Sequence, residues 1–154
     1  KIAMNYGYVY VAQVAMGANE NQLIKAFQEA EAYDGPSLII AYSHCIAHGI
    51  DMSKGIQQQK LATETGHWPV YRFDPRRADE GLVPLQLDSK APKKPLRDYI
   101  YNEQRYRLLT QLNPKKARQY EQEAQEWVKN RWLGLEKLAE APKVEDSAES
   151  SDKN

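Results

Sequence analysis

The sequence predicts an α/β fold, and three consecutive segments near its beginning carry that prediction. Aromatic, β-branched and small residues fill positions 6–15, and such a nearly continuous apolar run suits a strand that is covered on both faces. A helical segment with a polar cap follows it, and residues 37–42 form a second apolar run. A strand, a helix and a strand in this order predict a βαβ unit of a parallel sheet with a right-handed crossover.

The composition is that of an ordinary globular chain, and it limits the possible partners. The 154 residues correspond to about one domain. Lysine plus arginine balance aspartate plus glutamate at 21 each, so no net charge attracts the chain to nucleic acid or to an anionic membrane. No apolar stretch reaches the ~18 residues of a membrane span. We therefore expect neither a nucleic-acid partner nor a membrane partner.

The beginning of the chain and its cysteine content indicate where it belongs. The first residues lack the charged head and apolar core of a signal peptide, and one cysteine agrees with a reducing cytoplasm. Position 1 is lysine, and the chain enters an apolar segment almost at once. We interpret the chain as a cytoplasmic piece of a longer polypeptide.

The first helix has a start signal and a predicted buried face. Asn19 follows the strand break at Gly17, and Gln22 three residues later completes a pair that resembles a capping box. Residues 34–36 (Asp-Gly-Pro) end the helix, and the strand over 37–42 is expected to be buried. One apolar stripe is predicted to face the core: Leu23, Ile24, Phe27 and Ala30.

Beyond the second strand the pattern predicts one more helix and one more strand before a long excursion. The helix covers about 52–65 and closes at Gly66, and the strand covers 68–73. Residues 74–95 hold four prolines and are expected to be irregular, and loops this long usually reach toward a site or a partner. The α/β part is therefore 1–73 and the excursion is 74–95.

Residues 96–141 are predicted to form a helical extension of two helices. The first begins at Pro95, and the second begins with Asn113 as cap and Pro114 as its first residue. The second helix has an apolar row that Arg131 interrupts: Ala117, Tyr120, Ala124, Trp127, Leu135 and Leu138. Residues 142–154 are polar and rich in serine, so they are expected to be disordered.

Cys45 is the candidate site residue, because it directly follows a predicted strand and is flanked by His44 and His48. Ligands of open α/β sheets gather at the carboxyl ends of strands. The structural alternative is a small packed core residue, since free cysteine is among the most buried residue types. Residue pattern alone leaves these two interpretations open.

Two further chemistries at Cys45 have weaker support. Structural zinc needs four ligands, usually in two separated pairs, whereas this cluster spans five residues and His67 is the only other histidine. A Cys–His nucleophile is conceivable with His48, because His44 would point to the opposite side of an extended chain. Neither GxGxxG nor GxxxxGK[ST] occurs, so no phosphate-binding loop is predicted.

The charged run Asp74–Glu80 has two interpretations. It is most simply a solvated loop with internal ion pairs. The alternative is a docking surface, because Arg76 and Arg77 on a constrained loop could bind carboxylates.

Several motifs together resemble one enzyme family. They are YGYVYVAQVAMGAN, GPSLIIAYSHCIAHGI, GHWPVYRFDPRRADEG and PLQLDSKAP, and the similarity extends in order over roughly 2–140. The chain resembles the extreme C-terminal part of pyruvate:ferredoxin (flavodoxin) oxidoreductase. The resemblance implies a large, homodimeric, cytoplasmic enzyme that converts pyruvate and coenzyme A to acetyl-CoA and CO₂ and reduces ferredoxin or flavodoxin. It uses thiamine diphosphate, Mg²⁺ and three [4Fe-4S] clusters.

For this chain the resemblance implies the C-terminal half of the thiamine-diphosphate-binding (transketolase-like) α/β domain over 1–73, with parallel strands and flanking helices. Cys45 matches the fourth ligand of the [4Fe-4S] cluster nearest the thiamine, and cubane clusters take four thiolates. The other three cysteines would lie upstream, as would the Gly-Asp-Gly loop that binds thiamine diphosphate and Mg²⁺. The resemblance therefore places no catalytic residue in this segment, and we expect the segment to be inactive alone.

One departure from the family pattern lies beside the ligand. The family often has proline before the cysteine, where this chain has His44. The alternative function is a self-contained cytosolic interaction module with a packed free cysteine, and a small Cys–His hydrolase is a third possibility.

Overall fold

A mixed four-stranded sheet organises residues 1–140, the part of the chain that the computed structural model describes. The predicted disordered tail 142–154 lies outside these residues. In spatial order β2-β1-β3-β4, the strands are β1 (Tyr10–Val14), β2 (Ser37–Ala41), β3 (Tyr71–Phe73) and β4 (Leu85–Leu87). The helices are α1 (Glu20–Glu31), α2 (Gly55–Glu64), α3 (Arg76–Asp79), α4 (Arg97–Ile100), α5 (Gln104–Leu112) and α6 (Pro114–Ala139).

The predicted βαβ unit is confirmed in β1, α1 and β2. The two strands pair in parallel, in a register that runs from Tyr10↔Ser37 to Val14↔Ala41. Strand β1 is buried on both faces, as its apolar run indicates. Asn19 is the N-cap of α1, and its side-chain oxygen accepts a hydrogen bond from the Gln22 amide at 3.2 Å.

The predicted inner stripe of α1 is only partly right. Ile24 and Phe27 are each 54% exposed, whereas Gln22 and Ala26 are buried. Ala26 lies in one core cluster with Tyr10 of β1, so the helix turns its smallest side chain toward the sheet. A small residue at the contact lets helix and sheet approach closely, and the larger side chains are then left outside.

The prediction that β2 is buried is wrong. This strand is the edge of the sheet, and each of its five residues is exposed or half-buried, with Leu38 41% exposed. Among residues 1–140, no strand pairs with its outer side. The apolar run therefore makes a strand whose outer edge this part of the chain leaves uncovered.

The expectation of parallel strands is also corrected, because β3 and β4 are antiparallel to their neighbours. After α2 the chain arrives at the carboxyl end of β1, where the Trp68 indole donates to the Val14 carbonyl at 3.0 Å. At the same end, the Gln13 side chain donates to the Pro69 carbonyl. A strand that enters the sheet from this end runs against β1. Within 74–95, β4 then pairs with β3.

The helical extension contains three helices where two were predicted. A break at residues 101–103 separates α4 from α5. Helix α6 begins as predicted, with Pro114 in its first turn and the Asn113 side chain accepting from the Lys116 amide at 3.0 Å. Its predicted apolar row is partly wrong, because Trp127 is 57% exposed while Val128 is buried.

Helix α6 belongs to two separate cores. Leu135 packs with Val11 and Tyr71 in a cluster on the sheet, and Val128 packs with Leu96 and other residues of α4 and α2. Arg131, which interrupts the apolar row, donates to the carbonyls of residues 66 and 67, just beyond α2. Arg131, the charged residue in this row, therefore hydrogen bonds the backbone that follows the C-terminus of α2.

A buried ion-pair network joins the α1 face of the sheet to α1. Arg72 of β3 donates to both carboxylate oxygens of Asp88, at 2.9 and 2.8 Å, and to Glu29 of α1 at 2.5 Å. The Tyr10 hydroxyl donates to the other Glu29 oxygen at 2.9 Å. These carboxylates raise the pKa of Arg72, and burial followed by the Glu29 contact raises the pKa of Tyr10.

No helix within residues 1–140 has the length and apolarity needed to cross a membrane.

Candidate functional site at the carboxyl ends of two parallel strands

The carboxyl ends of β1 and β2 meet at one edge of the sheet, because the two strands are parallel. Gln59 of α2 joins the segments that leave these strands. Its side-chain oxygen accepts from the Gly17 amide at 2.9 Å, and its nitrogen lies 3.1 Å from Nδ1 of His44. Gln59 of α2 therefore positions the loop that follows β2.

Cys45 lies in this loop, four residues after the last residue of β2. Its backbone is extended (φ −132°, ψ 133°), and its carbonyl accepts from the His48 amide at 3.0 Å, which starts a 3₁₀ turn over Ile46–His48. Gly49 closes the turn with a positive φ of 69°. The residue as a whole is half-buried. This placement does not favour the packed-cysteine alternative.

The donor set fits Cys45 as one ligand of a larger site. Within residues 1–140, no group of three or more histidine, cysteine, aspartate and glutamate side chains could hold a metal ion. The sequence holds one cysteine, so a cubane cluster at Cys45 would need three thiolates from outside this chain.

The two neighbouring histidines are engaged by other elements. His44 lies on the first residue of α2, where a Cβ on Gly55 would be 2.3 Å from its Nε2. His48 has Nδ1 3.8 Å from Oε2 of Glu103 and Nε2 3.4 Å from Nη1 of Arg105. In the described part of the chain neither ring hydrogen bonds the thiol, which gives a Cys–His nucleophile no support.

Glu103 is a fully buried carboxylate beneath this loop. Its Oε2 accepts from Nε of Arg105 at 2.5 Å, and its Oε1 accepts from the Tyr99 hydroxyl at 3.1 Å and from the Gln58 amide at 3.4 Å. The Tyr99 hydroxyl also lies 2.5 Å from the Tyr42 hydroxyl, directly after β2. Burial raises the pKa of both tyrosines, and the hydrogen bond with Tyr42 raises the pKa of Tyr99 further. Both hydroxyls therefore stay protonated near neutral pH.

His67 lies on the other side of Tyr99 and takes no part in the Cys45 loop. The two rings are stacked with centroids 4.4 Å apart. Burial and the positive charge of Arg131 lower the pKa of His67 to about 4, so the imidazole is neutral near neutral pH. The third histidine of the sequence is therefore a packing residue.

The sequence pointed to Cys45, His44 and His48 but gave no sign that Gln59, Tyr99 and Glu103 contribute to this site. Glu103 falls inside a segment that was predicted to be one continuous helix, where a glutamate usually faces solvent. The signal for its burial is contact with residues more than forty positions away, which no local pattern contains. Tertiary packing, and not local sequence, therefore brings Gln59, Tyr99 and Glu103 to this site.

The charged run after β3 forms one internal ion pair, which agrees with its simpler interpretation. Arg76 pairs with Asp74 through Nε at 2.9 Å and Nη2 at 2.7 Å, and its third nitrogen donates to the Ala32 carbonyl. This pairing lowers the pKa of the Asp74 carboxyl. Arg77 donates to the Val83 carbonyl within the same loop. Both arginines are occupied, so the docking alternative gains no support.

A glycine substitution tests how tightly the Cys45 loop packs. A Cβ on Gly49 would lie 2.3 Å from Cβ of Gln104, and φ is positive there, so Gly49→Ala combines backbone strain with a collision. Gly81→Ala is the matched control, because Gly81 has φ +71° and nothing within 4 Å of a Cβ. We expect about 1–2 kcal/mol of destabilisation for the control and about 1–3 kcal/mol more for Gly49→Ala. Urea unfolding of both variants measures this difference, and equal costs would contradict the tight packing.

Curated relatives match nearly the whole chain but only a small part of their own length. A pyruvate-flavodoxin oxidoreductase of Rhodospirillum rubrum is 48% identical over 151 residues, which are 98% of this chain and 13% of the relative. A pyruvate:ferredoxin oxidoreductase of Moorella thermoacetica is 51% identical over 139 residues, 90% of this chain and 12% of the relative. A mitochondrial NADP(+) pyruvate dehydrogenase of Euglena gracilis is 44% identical over 152 residues, which are 97% of this chain and 8% of the relative. No protein-family model matches the chain.

Proposed function

Because this chain is homologous over nearly its whole length to one segment of the pyruvate-flavodoxin oxidoreductases, we propose that it is a cluster-binding and structural segment of such an enzyme. The resemblance predicted from the motifs is thereby confirmed, while the activity of the whole enzyme is part of the proposal. The observation that carries it is the match itself, at 53% identity over 90% of the chain in one relative.

The proposed role of Cys45 is to supply the fourth thiolate of the [4Fe-4S] cluster nearest thiamine diphosphate. Its half-buried position at the carboxyl end of two parallel strands supports this role, because ligands of such sheets gather there. The other three thiolates, and the residues that bind thiamine diphosphate and Mg²⁺, would come from outside this chain. When bound, the cofactors supply carbanion stabilisation and electron transfer.

The reaction proposed for the whole enzyme is the oxidation of pyruvate with coenzyme A to acetyl-CoA and CO₂. Two electrons leave the substrate and pass to ferredoxin or flavodoxin. The names of the relatives include both acceptors, and the Euglena gracilis relative is named for NADP(+) and for mitochondria. For this chain we propose a ferredoxin or flavodoxin acceptor, a cytoplasmic location and a homodimeric enzyme.

The exposed edge and apolar surface support a segment that packs against more of its own polypeptide. The outer edge of β2 offers unpaired backbone groups, and proteins rarely leave such an edge open. Ile24 and Phe27 on α1 and Met16 after β1 add exposed apolar surface. We propose that upstream parts of a thiamine-diphosphate-binding domain cover these surfaces, with 1–73 as its C-terminal half and 96–141 as a helical extension.

The isolated chain is expected to have no pyruvate oxidation activity, because the ligands for thiamine diphosphate and three cluster thiolates are proposed to lie elsewhere. The measurement is acetyl-CoA formation and reduction of an electron acceptor, with pyruvate, coenzyme A, thiamine diphosphate and Mg²⁺ supplied. The complete natural polypeptide that contains this segment is the positive control. Turnover by the isolated chain would contradict the proposal.

A further inference from the structure

We propose that Glu103 is a positioning residue for Cys45 and holds the loop that carries this thiol against the start of α5. The inference concerns residues of this chain alone, although its meaning at a cluster rests on the proposed function. The motifs around Cys45 contain no sign of this glutamate, which lies 58 positions further along the chain.

The backbone of the loop is attached to α5 at its far end. The Gln104 amide donates to the Gly49 carbonyl at 3.1 Å, and Gly49 lies so close to Gln104 that a side chain there would collide. The residue that ends the Cys45 turn is therefore in direct contact with the residue that follows Glu103.

The Glu103 carboxylate attaches the same turn through His48. Oε2 lies 3.8 Å from His48 Nδ1 and accepts from Arg105, whose Nη1 is 3.4 Å from the other nitrogen of the ring. The imidazole thus lies between a fully buried carboxylate and a guanidinium that is itself bound to that carboxylate. Arg105 carries the connection, because it is hydrogen bonded both to the buried carboxylate and to the imidazole, and this restrains the turn.

The second carboxylate oxygen attaches the start of the loop. Oε1 accepts from the Tyr99 hydroxyl, which is hydrogen bonded to the Tyr42 hydroxyl, and also from Gln58 of α2. Tyr42 lies three residues before Cys45 and His48 lies three residues after it. Both sides of the thiol are therefore connected to one carboxyl group, through Arg105 at His48 and through Tyr99 at Tyr42.

This arrangement fixes the direction in which the Cys45 side chain leaves the loop. A ligand contributes to a metal site only when its surroundings hold it in place, and such supporting contacts tune the metal as well. Loss of the Glu103 charge should loosen both attachments at once while leaving the thiol itself unchanged.

The test compares Glu103→Gln with Glu29→Gln in the complete natural polypeptide. Glu29 is a matched control because it also binds an arginine and a tyrosine hydroxyl, on the α1 face of the sheet. Hydrogen exchange reports the loop directly, through the His48, Gly49 and Gln104 amides. We expect roughly ten- to hundred-fold faster exchange in Glu103→Gln and no change of these amides in Glu29→Gln. Unchanged exchange in Glu103→Gln would overturn the proposal.

A second readout separates positioning from a general loss of stability. We expect Glu103→Gln to shift the midpoint potential or the electron paramagnetic resonance signal of one cluster, and Glu29→Gln to shift neither. Faster exchange with an unaltered cluster would overturn the positioning role. Arg105→Gln is the fallback if Glu103→Gln fails to fold, since Arg105 is partly exposed and contacts both Glu103 and His48. Cys45→Ser with its iron content intact would instead refute the proposed function, whatever the exchange shows.

Discussion

Replacing Cys45 by serine in the complete enzyme is expected to remove or severely weaken one [4Fe-4S] cluster and to leave the other two in place. Serine has nearly the shape of cysteine but offers no thiolate, and a cubane cluster takes four thiolates. If this cluster is the one nearest thiamine diphosphate, electrons from the substrate have no first acceptor. Pyruvate-dependent reduction of ferredoxin or flavodoxin should then fall to near background.

The measurements are iron and acid-labile sulfide per polypeptide, together with electron paramagnetic resonance of the reduced enzyme. Because Cys45 is half-buried and its sulfur makes no hydrogen bond within the described residues, the fold should tolerate serine, and the melting temperature of the apo-protein should change little. Ser43→Ala, two residues earlier and exposed, is the control for disturbance of the loop. Three intact clusters in Cys45→Ser would remove Cys45 from the ligand set.

Replacing Arg72 by methionine is expected to destabilise the chain by about 3–5 kcal/mol. The substitution removes the guanidinium that binds Asp88 with two nitrogens and Glu29 with a third, and it leaves both carboxylates without their partner. The methionine side chain fills much of the same space, so the lost charge dominates the effect. Glu29 also holds the Tyr10 hydroxyl, so the contact between α1 and β1 should loosen as well.

Urea unfolding of Arg72→Met and Arg76→Met gives a matched comparison. Each arginine pairs with a nearby aspartate, but the Arg72 side chain is 6% exposed and the Arg76 side chain is 42% exposed. The Arg76 variant should lose less than the Arg72 variant, because solvent reaches the Arg76 guanidinium and screens its pairing with the buried Asp74. Equal decreases in the free energy of unfolding of the two variants would show that burial of the Arg72 network adds nothing to stability.

Local signals in the sequence predicted local structure well. Asn19 and Asn113 were predicted as helix caps from their neighbours, and each accepts the expected backbone amide. The apolar run of β1 correctly predicted a strand buried on both faces. In each case the information lies within a few residues of the feature that it predicts.

The misses all depend on what a segment meets after the chain has folded. The run 37–42 has the composition of a buried strand, yet β2 is at the sheet edge because no described strand lies beyond it. Strand β3 runs antiparallel because α2 delivers the chain to the carboxyl end of β1, which composition does not encode. Glu103 resembles a surface helix residue until α2, α4 and the Cys45 loop surround it. The candidate ligand Cys45 was visible in sequence, whereas the buried side chains around its loop were not.

Helix α6 bears on how the described part of the chain unfolds. Its Val128 belongs to the core of α2 and α4, and its Leu135 belongs to the core on the sheet, seven residues further along. Two cores joined by a flexible linker could melt one after the other. Both cores share one helix. When one core is lost, the helix detaches there and exposes the apolar face that packs in the other core. We therefore expect the two hydrophobic clusters to lose their packing together, in one cooperative transition.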